Sequence, residues 1–396
     1  MCRVPRTWRI VLGLLLVVSS PAGCQPSPSA RSSATPAPTR AGSNSPTTSQ
    51  SAAATGSISR VGTLASLRAA HTATTLSDGR VLIAGGCTED SCEGITASTE
   101  LLDPATGASS RGPEMREPRV GQAAVLLPDG RVLMIGGFQP GRQTASTEIF
   151  DPARNVFAAG PDLLEPLADP VALSLRDGSI LVVGGYSGHA SVASAELLDP
   201  QLVAFRSTGS MSTPRSAHGG ALLQDGRVIV IGGNSRGDTG TVLASAEVYD
   251  PATGTWSPTG AMSVRRHKLA VVALADGRVL ALGGSNEQDA FGQYRSAEIY
   301  DPAAGTFTAT GDMASPRYKI SAAVVRLDDG RVLVAAGSRP AEIYDPASGT
   351  FQRVAGDADT AFNFSAAARL ADGSVLVSGG YDDGIHLTDQ VLRFVP

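Results

Sequence analysis

The chain has 396 residues, of which 42% are hydrophobic, 5% are aromatic and 45 are glycine, and its formal net charge is −5. This acidic balance excludes the broad basic surface that nucleic-acid-binding domains use, so we expect no nucleic-acid partner. The hydrophobic and glycine content is typical of a compact all-β protein and excludes a chain that is disordered throughout.

Residues 1–23 have the pattern of an export signal. Three arginines precede an apolar run that is too short to span a bilayer. The small residues Ala22 and Gly23 lead into Cys24, an ending that resembles the lipobox of bacterial lipoproteins, although Pro21 stands where that motif prefers an aliphatic residue. The resemblance implies a lipid anchor at Cys24 on the outside of the cytoplasmic membrane or in the cell envelope. The alternative is ordinary secretory cleavage, which would release the protein with Cys24 unmodified.

Residues 24–55 are rich in Ser, Thr, Pro and Ala and show no hydrophobic period. Such a segment buries too little apolar surface to offset the entropy lost on ordering. We therefore expect a disordered tether between the signal and the remaining residues, 56–396.

From residue 56 onward one pattern returns seven times: an Asp-Gly turn, a short aliphatic run and two small residues. The turns start at Asp78, Asp129, Asp177, Asp225, Asp276, Asp329 and Asp372. A double glycine follows in six repeats, and Ala336-Gly337 follows in the sixth one along the chain. A repeat of about fifty residues indicates a ring or stack of similar units.

The repeat at residues 215–262 contains four predicted strands. A strand of small residues leads to Asp225-Gly226, which we interpret as a two-residue hairpin turn of the kind that requires positive φ. An aliphatic strand follows, then a third strand at residues 246–249, a turn at residues 250–254 and a fourth strand that begins at Thr255. Four antiparallel strands joined by tight turns make one blade of a β-propeller. The small first strands suit the crowded centre of such a ring.

The last repeat lacks a fourth strand because the chain stops at Pro396. Residues 56–62 align with residues 254–260, which belong to the fourth strand of the type repeat. The sequence therefore predicts a seven-bladed propeller of four-stranded blades, closed by an N-terminal strand that completes the last blade and removes an exposed sheet edge.

These residues resemble the kelch repeat, the blade unit also used by the central domain of galactose oxidase. The double glycine and the aromatic residues of strands three and four, such as Tyr249 and Trp256, carry the resemblance. Leu102 and Leu198 depart from it by replacing the third-strand aromatic residue. The resemblance covers residues 56–396 and implies the propeller fold, which hosts many different functions.

Two cysteines, Cys87 and Cys92, lie close together in one loop. In an exported protein this spacing predicts a local disulfide. A zinc site would need two more ligands nearby, and the loop offers none at a suitable spacing, so we expect no metal site.

Kelch domains carry the loops between strands two and three on one face, and these loops vary most in this chain. Aromatic and polar side chains there are candidates for binding a sugar ring or a peptide; the alternative is ordinary packing at the rim. The candidates are Phe138, Arg142, Tyr186, Asn234, Phe291, Tyr294 and Tyr381.

Five arginines recur at one position of the repeat, four residues after the Leu or Met that ends a fourth strand. They are Arg68, Arg119, Arg215, Arg266 and Arg317, and Leu167 and Phe362 interrupt the series. One hypothesis is a ring that binds anions. The other pairs them with the repeated glutamates Glu100, Glu148, Glu196, Glu247 and Glu298 and makes them structural.

The residues of this chain favour a binding function over an enzymatic one. Copper chemistry of the galactose oxidase kind would need two His, two Tyr and a Cys joined to a Tyr, and neither available Cys lies beside a suitable Tyr. No acid–base pair stands out, so we predict no catalytic residues and no cofactor. The sequence favours a monomeric binding or assembly module at the bacterial cell envelope, recognising an unidentified protein or glycan and touching the membrane only through Cys24. The alternative is an extracellular carbohydrate-active oxidase or epimerase.

Overall fold

Seven four-stranded antiparallel sheets and one two-stranded hairpin at residues 138–143 lie in the part of the chain that the computed structural model describes, residues 56–396 apart from residues 93, 239, 357, 358 and 360. The predicted signal and tether lie outside these described residues. The innermost strand of each sheet contacts the innermost strands of both neighbours, and the last contacts the first. The predicted seven-bladed β-propeller is confirmed.

We number the blades 1 to 7 in the order of their Asp-Gly turns. The strands of the first half are β1 (Ser57–Thr63), β2 (Thr72–Thr75), β3 (Val81–Ala84), β4 (Thr99–Leu102), β5 (Ser109–Arg111), β6 (Ala123–Leu126), β7 (Val132–Ile135), β8 (Phe138–Gln139), β9 (Arg142–Gln143), β10 (Thr147–Asp151), β11 (Val156–Ala159), β12 (Val171–Ser174), β13 (Ile180–Val183), β14 (Ala195–Leu198) and β15 (Phe205–Ser207). The strands of the second half are β16 (Gly219–Leu222), β17 (Val228–Ile231), β18 (Ser235–Asp238), β19 (Ala246–Asp250), β20 (Thr255–Pro258), β21 (Ala270–Ala273), β22 (Val279–Leu282), β23 (Ala297–Asp301), β24 (Thr306–Ala309), β25 (Val324–Arg326), β26 (Val332–Val334), β27 (Glu342–Asp345), β28 (Thr350–Arg353), β29 (Ala366–Arg369), β30 (Val375–Ser378) and β31 (Gln390–Val395). Short 3-10 turns span Asp90–Cys92, Asp289–Phe291 and Ser321–Ala323.

The N-terminal strand closes the ring. Strand β1 pairs antiparallel with β31, with Ile58 opposite Phe394 and Gly62 opposite Val391. Blade 7 therefore has the order β1-β31-β30-β29 and combines both ends of the propeller, as the sequence predicts.

The hydrophobic core is divided among the blade interfaces. The second strand of every blade is fully buried, and seven apolar clusters each combine side chains of two neighbouring blades. Predicted aromatic residues of strands three and four pack in pairs, such as Tyr249 against Trp256 with ring centroids 5.1 Å apart. The Tyr249 hydroxyl also bonds Thr208 Oγ1 at 2.8 Å, so the pair ties blade 4 to the end of blade 3.

The Asp-Gly turns differ from the prediction. Of the two residues, the glycine alone has positive φ, as in Gly226 at 92°. Gly226 donates to the Leu223 carbonyl at 3.0 Å, and Leu223 N–H bonds the Arg227 carbonyl at 2.8 Å. The loop thus holds three residues, a type I turn followed by a left-handed glycine, and the two-residue turn was wrong. Asp225 instead accepts the Arg227 N–H at 3.0 Å, which fixes the turn from outside.

In five blades, a buried arginine joins the blade to the segment that leads into it from the preceding blade. Arg215 is fully buried, and its Nη1 donates to the carbonyls of Gly232 at 2.8 Å and Ser245 at 3.1 Å. Its Nη2 lies 2.8 Å from Glu247 Oε1, and Glu247 Oε2 accepts the Ser212 N–H at 2.7 Å. The other pairs are Arg68–Glu100, Arg119–Glu148, Arg266–Glu298 and Arg317–Glu342, at 2.7 to 3.0 Å. The predicted pairing is confirmed for four of the five predicted glutamates, and Glu342 is the fifth partner.

The double glycine joins each blade to the next one, at the main chain of the buried arginine. Gly233 N–H donates to the carbonyl oxygen of Arg266, the arginine of the next blade, at 3.0 Å. Gly232 has φ 67°, and a Cβ there would overlap the same carbonyl oxygen, so a side chain would push the blades apart. The equivalent N–H bond joins every pair of neighbouring blades, donated by Gly86, Gly137, Gly185, Gly233, Gly284, Gly337 and Gly380.

Two blades lack the arginine, and they fill the arginine and glutamate positions in different ways. In blade 7 Phe362 takes the arginine position and Leu392 takes the glutamate position opposite Val377, so both members are apolar and belong to one buried cluster. In blade 3 Leu167 replaces the arginine while Glu196 remains. The Oε1 atom of Glu196 is buried and has no side-chain hydrogen-bond partner among the described residues.

The carboxyl group of Glu196, which lacks an arginine partner, makes the stability of the fold depend on pH. Burial raises the pKa of Glu196 and the neighbouring Glu165 carboxylate raises it further, although hydrogen bonds from the N–H groups of Leu164 and Glu165 oppose them. Because folding raises this pKa, Glu196 favours the folded state at low pH, and that contribution is lost as the pH rises through the folded pKa.

We predict that Glu196→Gln stabilises the fold at about pH 8 by about 1 kcal/mol, and that the gain disappears near pH 4, where Glu196 is protonated. Urea denaturation at both pH values measures it. The matched control is Glu247→Gln, which leaves Arg215 without its carboxylate and should destabilise at about pH 8. A Glu196→Gln effect that is equal at the two pH values would contradict the account.

Candidate functional site

The innermost strands surround a central channel with a cavity of about 530 Å³. Its wall consists of small side chains from these strands, such as Ala73, Ala124, Gly219 and Ala366. The volume lies within the range of small-molecule and side-chain binding pockets. The five buried arginines are absent from this wall, because their guanidinium groups point into their own blades.

Seven residues form a ring at one mouth of the channel, each two positions after the arginine position of its blade. All have left-handed backbone with φ between 50° and 64°. We call them the mouth ring: Ala70, Gly121, Asp169, Ala217, Lys268, Lys319 and Phe364. Left-handed backbone is uncommon outside glycine and is often found where a site needs a fixed geometry. Main-chain bonds tie neighbouring members together, for example Lys319 N–H to the Lys268 carbonyl at 3.0 Å.

Three of the predicted ligand-binding residues lie on the cavity wall. Phe138 and Tyr186 follow the double glycines of blades 2 and 3, and their half-buried rings have centroids 6.3 Å apart at an interplanar angle of 34°. The Tyr186 hydroxyl donates to the Gly188 carbonyl at 3.2 Å, which holds its ring in place. Asn234 is buried and lines the wall in blade 4.

The structure does not bring the other four candidates to this wall. Tyr381 is buried behind Phe364, with ring centroids 6.4 Å apart, and burial raises the pKa of its hydroxyl to about 12. Phe291 is 82% exposed on the outer surface of its loop. Tyr294 covers the guanidinium of Arg266 at 5.1 Å. Exposed Arg142 lies at the rim, with Nε 3.0 Å from Gln139 Oε1.

Sequence reasoning missed the charged members of the mouth ring. Lys268 and Lys319 are the only two lysines among the 396 residues, and they occupy the same position in neighbouring blades. The rarity of lysine in this chain, together with its recurrence at one position of two neighbouring repeats, is the sequence signal that could have identified both residues. Lys268 Nζ lies 2.8 Å from Asp289 Oδ1, while Lys319 Nζ lies 4.7 Å and 5.0 Å from the ring centres of Tyr318 and Phe364.

The charges at this mouth are set by burial and by the lysines. Burial raises the pKa of Asp289, but Lys268, Lys319 and His267 outweigh it and lower the pKa overall, so Asp289 is ionised at pH 7. Burial, aided by Lys268, lowers the pKa of His267 to about 4. That ring is therefore neutral at pH 7, although its Nε2 lies 3.6 Å from Asp289 Oδ1.

Two further histidines line the channel below the ring. Burial lowers the pKa of His71 and His218 to about 3, helped by Arg68 and Arg215 respectively, so both imidazoles are neutral at pH 7. His71 Nε2 lies 2.9 Å from Ser378 Oγ. In residues 56–396, as far as they are described, no group of three or more His, Cys, Asp or Glu side chains lies close enough to hold a metal ion.

The Cys87 loop lies on the same face as the mouth. Cys87 and Cys92 are disulfide-bonded with Cα atoms 4.8 Å apart, and both are buried against Val120 and half-buried Phe138. The bridge therefore supports one of the aromatic rings on the cavity wall. None of the helices in the described part of the chain is long and apolar enough to cross a bilayer.

A family model matches part of the chain. Residues 215–263 match the Kelch motif, a span that covers the Arg215 connection and all four strands of blade 4. Comparison with curated proteins gives no significant match. The motif match and the seven-bladed ring together support a kelch-repeat β-propeller, a fold that suggests a protein-binding or scaffold module.

Proposed function

We propose that the chain is an exported, lipid-anchored binding module that recognises a partner protein at the mouth of its propeller. The observation that carries this proposal is the meeting of Phe138, Tyr186 and Asn234 on the wall of one cavity, beside a ring of residues with fixed backbone. Half-buried aromatic side chains next to a few fixed polar groups are typical of the residues that dominate binding energy.

The rigidity of the ring supports the proposal. Each blade is fixed to the next by a main-chain bond from a glycine N–H to the carbonyl at the arginine position, and the mouth-ring residue follows two positions after that carbonyl. A site on such a framework loses little side-chain and loop entropy on binding. The kelch match favours a protein partner over a glycan, which stays the alternative outcome of the test.

The binding test compares matched aromatic residues. The chain carrying Cys24→Ser, which prevents lipidation, is applied to peptide and glycan arrays, and its ligand is then titrated by calorimetry. We expect Phe138→Ala and Tyr186→Ala each to weaken peptide binding about tenfold or more, as at other aromatic hot spots. The control is Phe291→Ala, because Phe291 is exposed but lies off the cavity wall. A loss at Phe291 as large as at Phe138, or binding to glycans alone, would overturn the proposal.

The proposed location rests on the sequence before residue 56. If Cys24 carries a lipid, the wild-type chain will fractionate with membranes, whereas Cys24→Ser will appear in the soluble exported fraction. Fractionation followed by immunoblotting measures this. Equal release of both chains would refute the anchor and leave ordinary secretion.

A further inference from the structure

We propose that the mouth recognises a protein segment that carries one basic and one acidic side chain, held at opposite sides of the channel. This inference rests on the proposed function and specifies the chemistry of the partner. It follows from the positions of the charged side chains around the mouth ring.

One side of the mouth suits a basic group. Asp169, the mouth-ring residue of blade 3, is exposed and lines the cavity. Its Oδ1 atom and Cδ2 of Phe138 both lie against Gly121, so the carboxylate and the aromatic ring share one corner. Tyr186 adds a second ring to this corner. A carboxylate beside two aromatic faces attracts an ammonium or guanidinium group by charge and by cation–π interaction.

The other side suits an acidic group. Lys268 and Lys319 follow Asp169 by two and three blades around the ring, and uncharged Ala217 lies between. Asp289 offsets the charge of Lys268, while the rings of Tyr318 and Phe364 hold the Lys319 ammonium at the cavity wall. This side therefore holds two ammonium groups and one carboxylate, and the neighbouring imidazole of His267 is neutral at pH 7.

The opposed charges select against ligands with a single charge. A basic group that is attracted to Asp169 is repelled by the lysine side across the channel, and an acidic group that is attracted to the lysines is repelled by Asp169. A segment with both charges gains at each side, and the interaction weakens little where the cavity excludes water.

Buried polar atoms between the two sides also indicate an occupant. Gln122 and His218 line the cavity, are 8% and 7% exposed, and each has a polar atom without a hydrogen-bond partner among the described residues: Oε1 of Gln122 and one ring nitrogen of His218, whose ring also bonds the Val183 main chain. Buried polar groups are normally satisfied. The main chain of a bound segment would supply both donors and acceptors to them.

The test uses capped peptides with Lys at one end and Asp at the other, separated by a glycine spacer of increasing length. Calorimetry with the Cys24→Ser chain should show tightest binding at one spacer length. Replacing Lys by Gln, or Asp by Asn, in that peptide should weaken binding about tenfold or more.

Protein variants assign each charge. Asp169→Asn, which keeps a residue that tolerates left-handed backbone, should weaken the Lys-containing peptide and leave its Gln version unchanged. Lys319→Met should weaken the Asp-containing peptide and leave its Asn version unchanged. Unfolding midpoints equal to the parent show that the fold is intact.

Two results would overturn the inference. Either the singly charged peptides bind as well as the doubly charged one, or no member of the series binds. If array peptides still bind in a manner that depends on Phe138 and Tyr186, the proposed function stands and only the charge assignment fails. If that dependence is also lost, both fail.

Discussion

The junction between blades depends on one buried ion pair and one main-chain bond. An arginine such as Arg215 enters its own blade, binds two carbonyls and a glutamate there, and accepts the N–H of the previous blade's second glycine through its own carbonyl. Burying two charges is costly unless the partner is close and further hydrogen bonds satisfy most of the remaining donors. Both Nη atoms of Arg215 have such partners, whereas its Nε has none among the described residues. Here the carboxylate also accepts main-chain N–H groups of the incoming connection, so the pair fixes where each blade begins relative to the next.

The two exceptions show what the junction requires. Blade 7 replaces both charges with Phe362 and Leu392 and stays apolar, while blade 3 replaces the arginine alone and leaves Glu196 unmatched. A matched pair of either kind fits the buried space, whereas a half-replaced pair leaves a carboxyl group whose pKa is raised. The junction also sets the site, because the mouth ring lies two residues beyond the arginine position in every blade. Its backbone is therefore fixed by the fold, and its side chains are free to vary between charged, aromatic and small.

Repetition made most of the fold predictable. The seven copies, the small first strands and the alignment of residues 56–62 with a fourth strand gave the blade count and the closure. The turn at Asp225 was misassigned because Asp-Gly occurs in both two-residue and three-residue hairpin loops, and the sequence does not show which residue has positive φ.

The site was predicted in part. Phe138 and Tyr186 each follow a double glycine, which predicted their position at the mouth. Tyr381 also follows a double glycine, but its side chain is buried behind Phe364. Whether a loop side chain faces the channel depends on the neighbouring blade, which one repeat does not reveal.

A double-mutant cycle at the blade 4 junction tests the central claim most directly, with Arg215→Phe and Glu247→Leu copying the pair found in blade 7. We expect each single variant to lose about 3–5 kcal/mol of unfolding free energy, because it leaves one buried charge unpaired, and the double variant to recover most of this loss. Urea denaturation of the four chains gives the coupling. Losses that simply add in the double variant would contradict the claim that a matched pair holds neighbouring blades together.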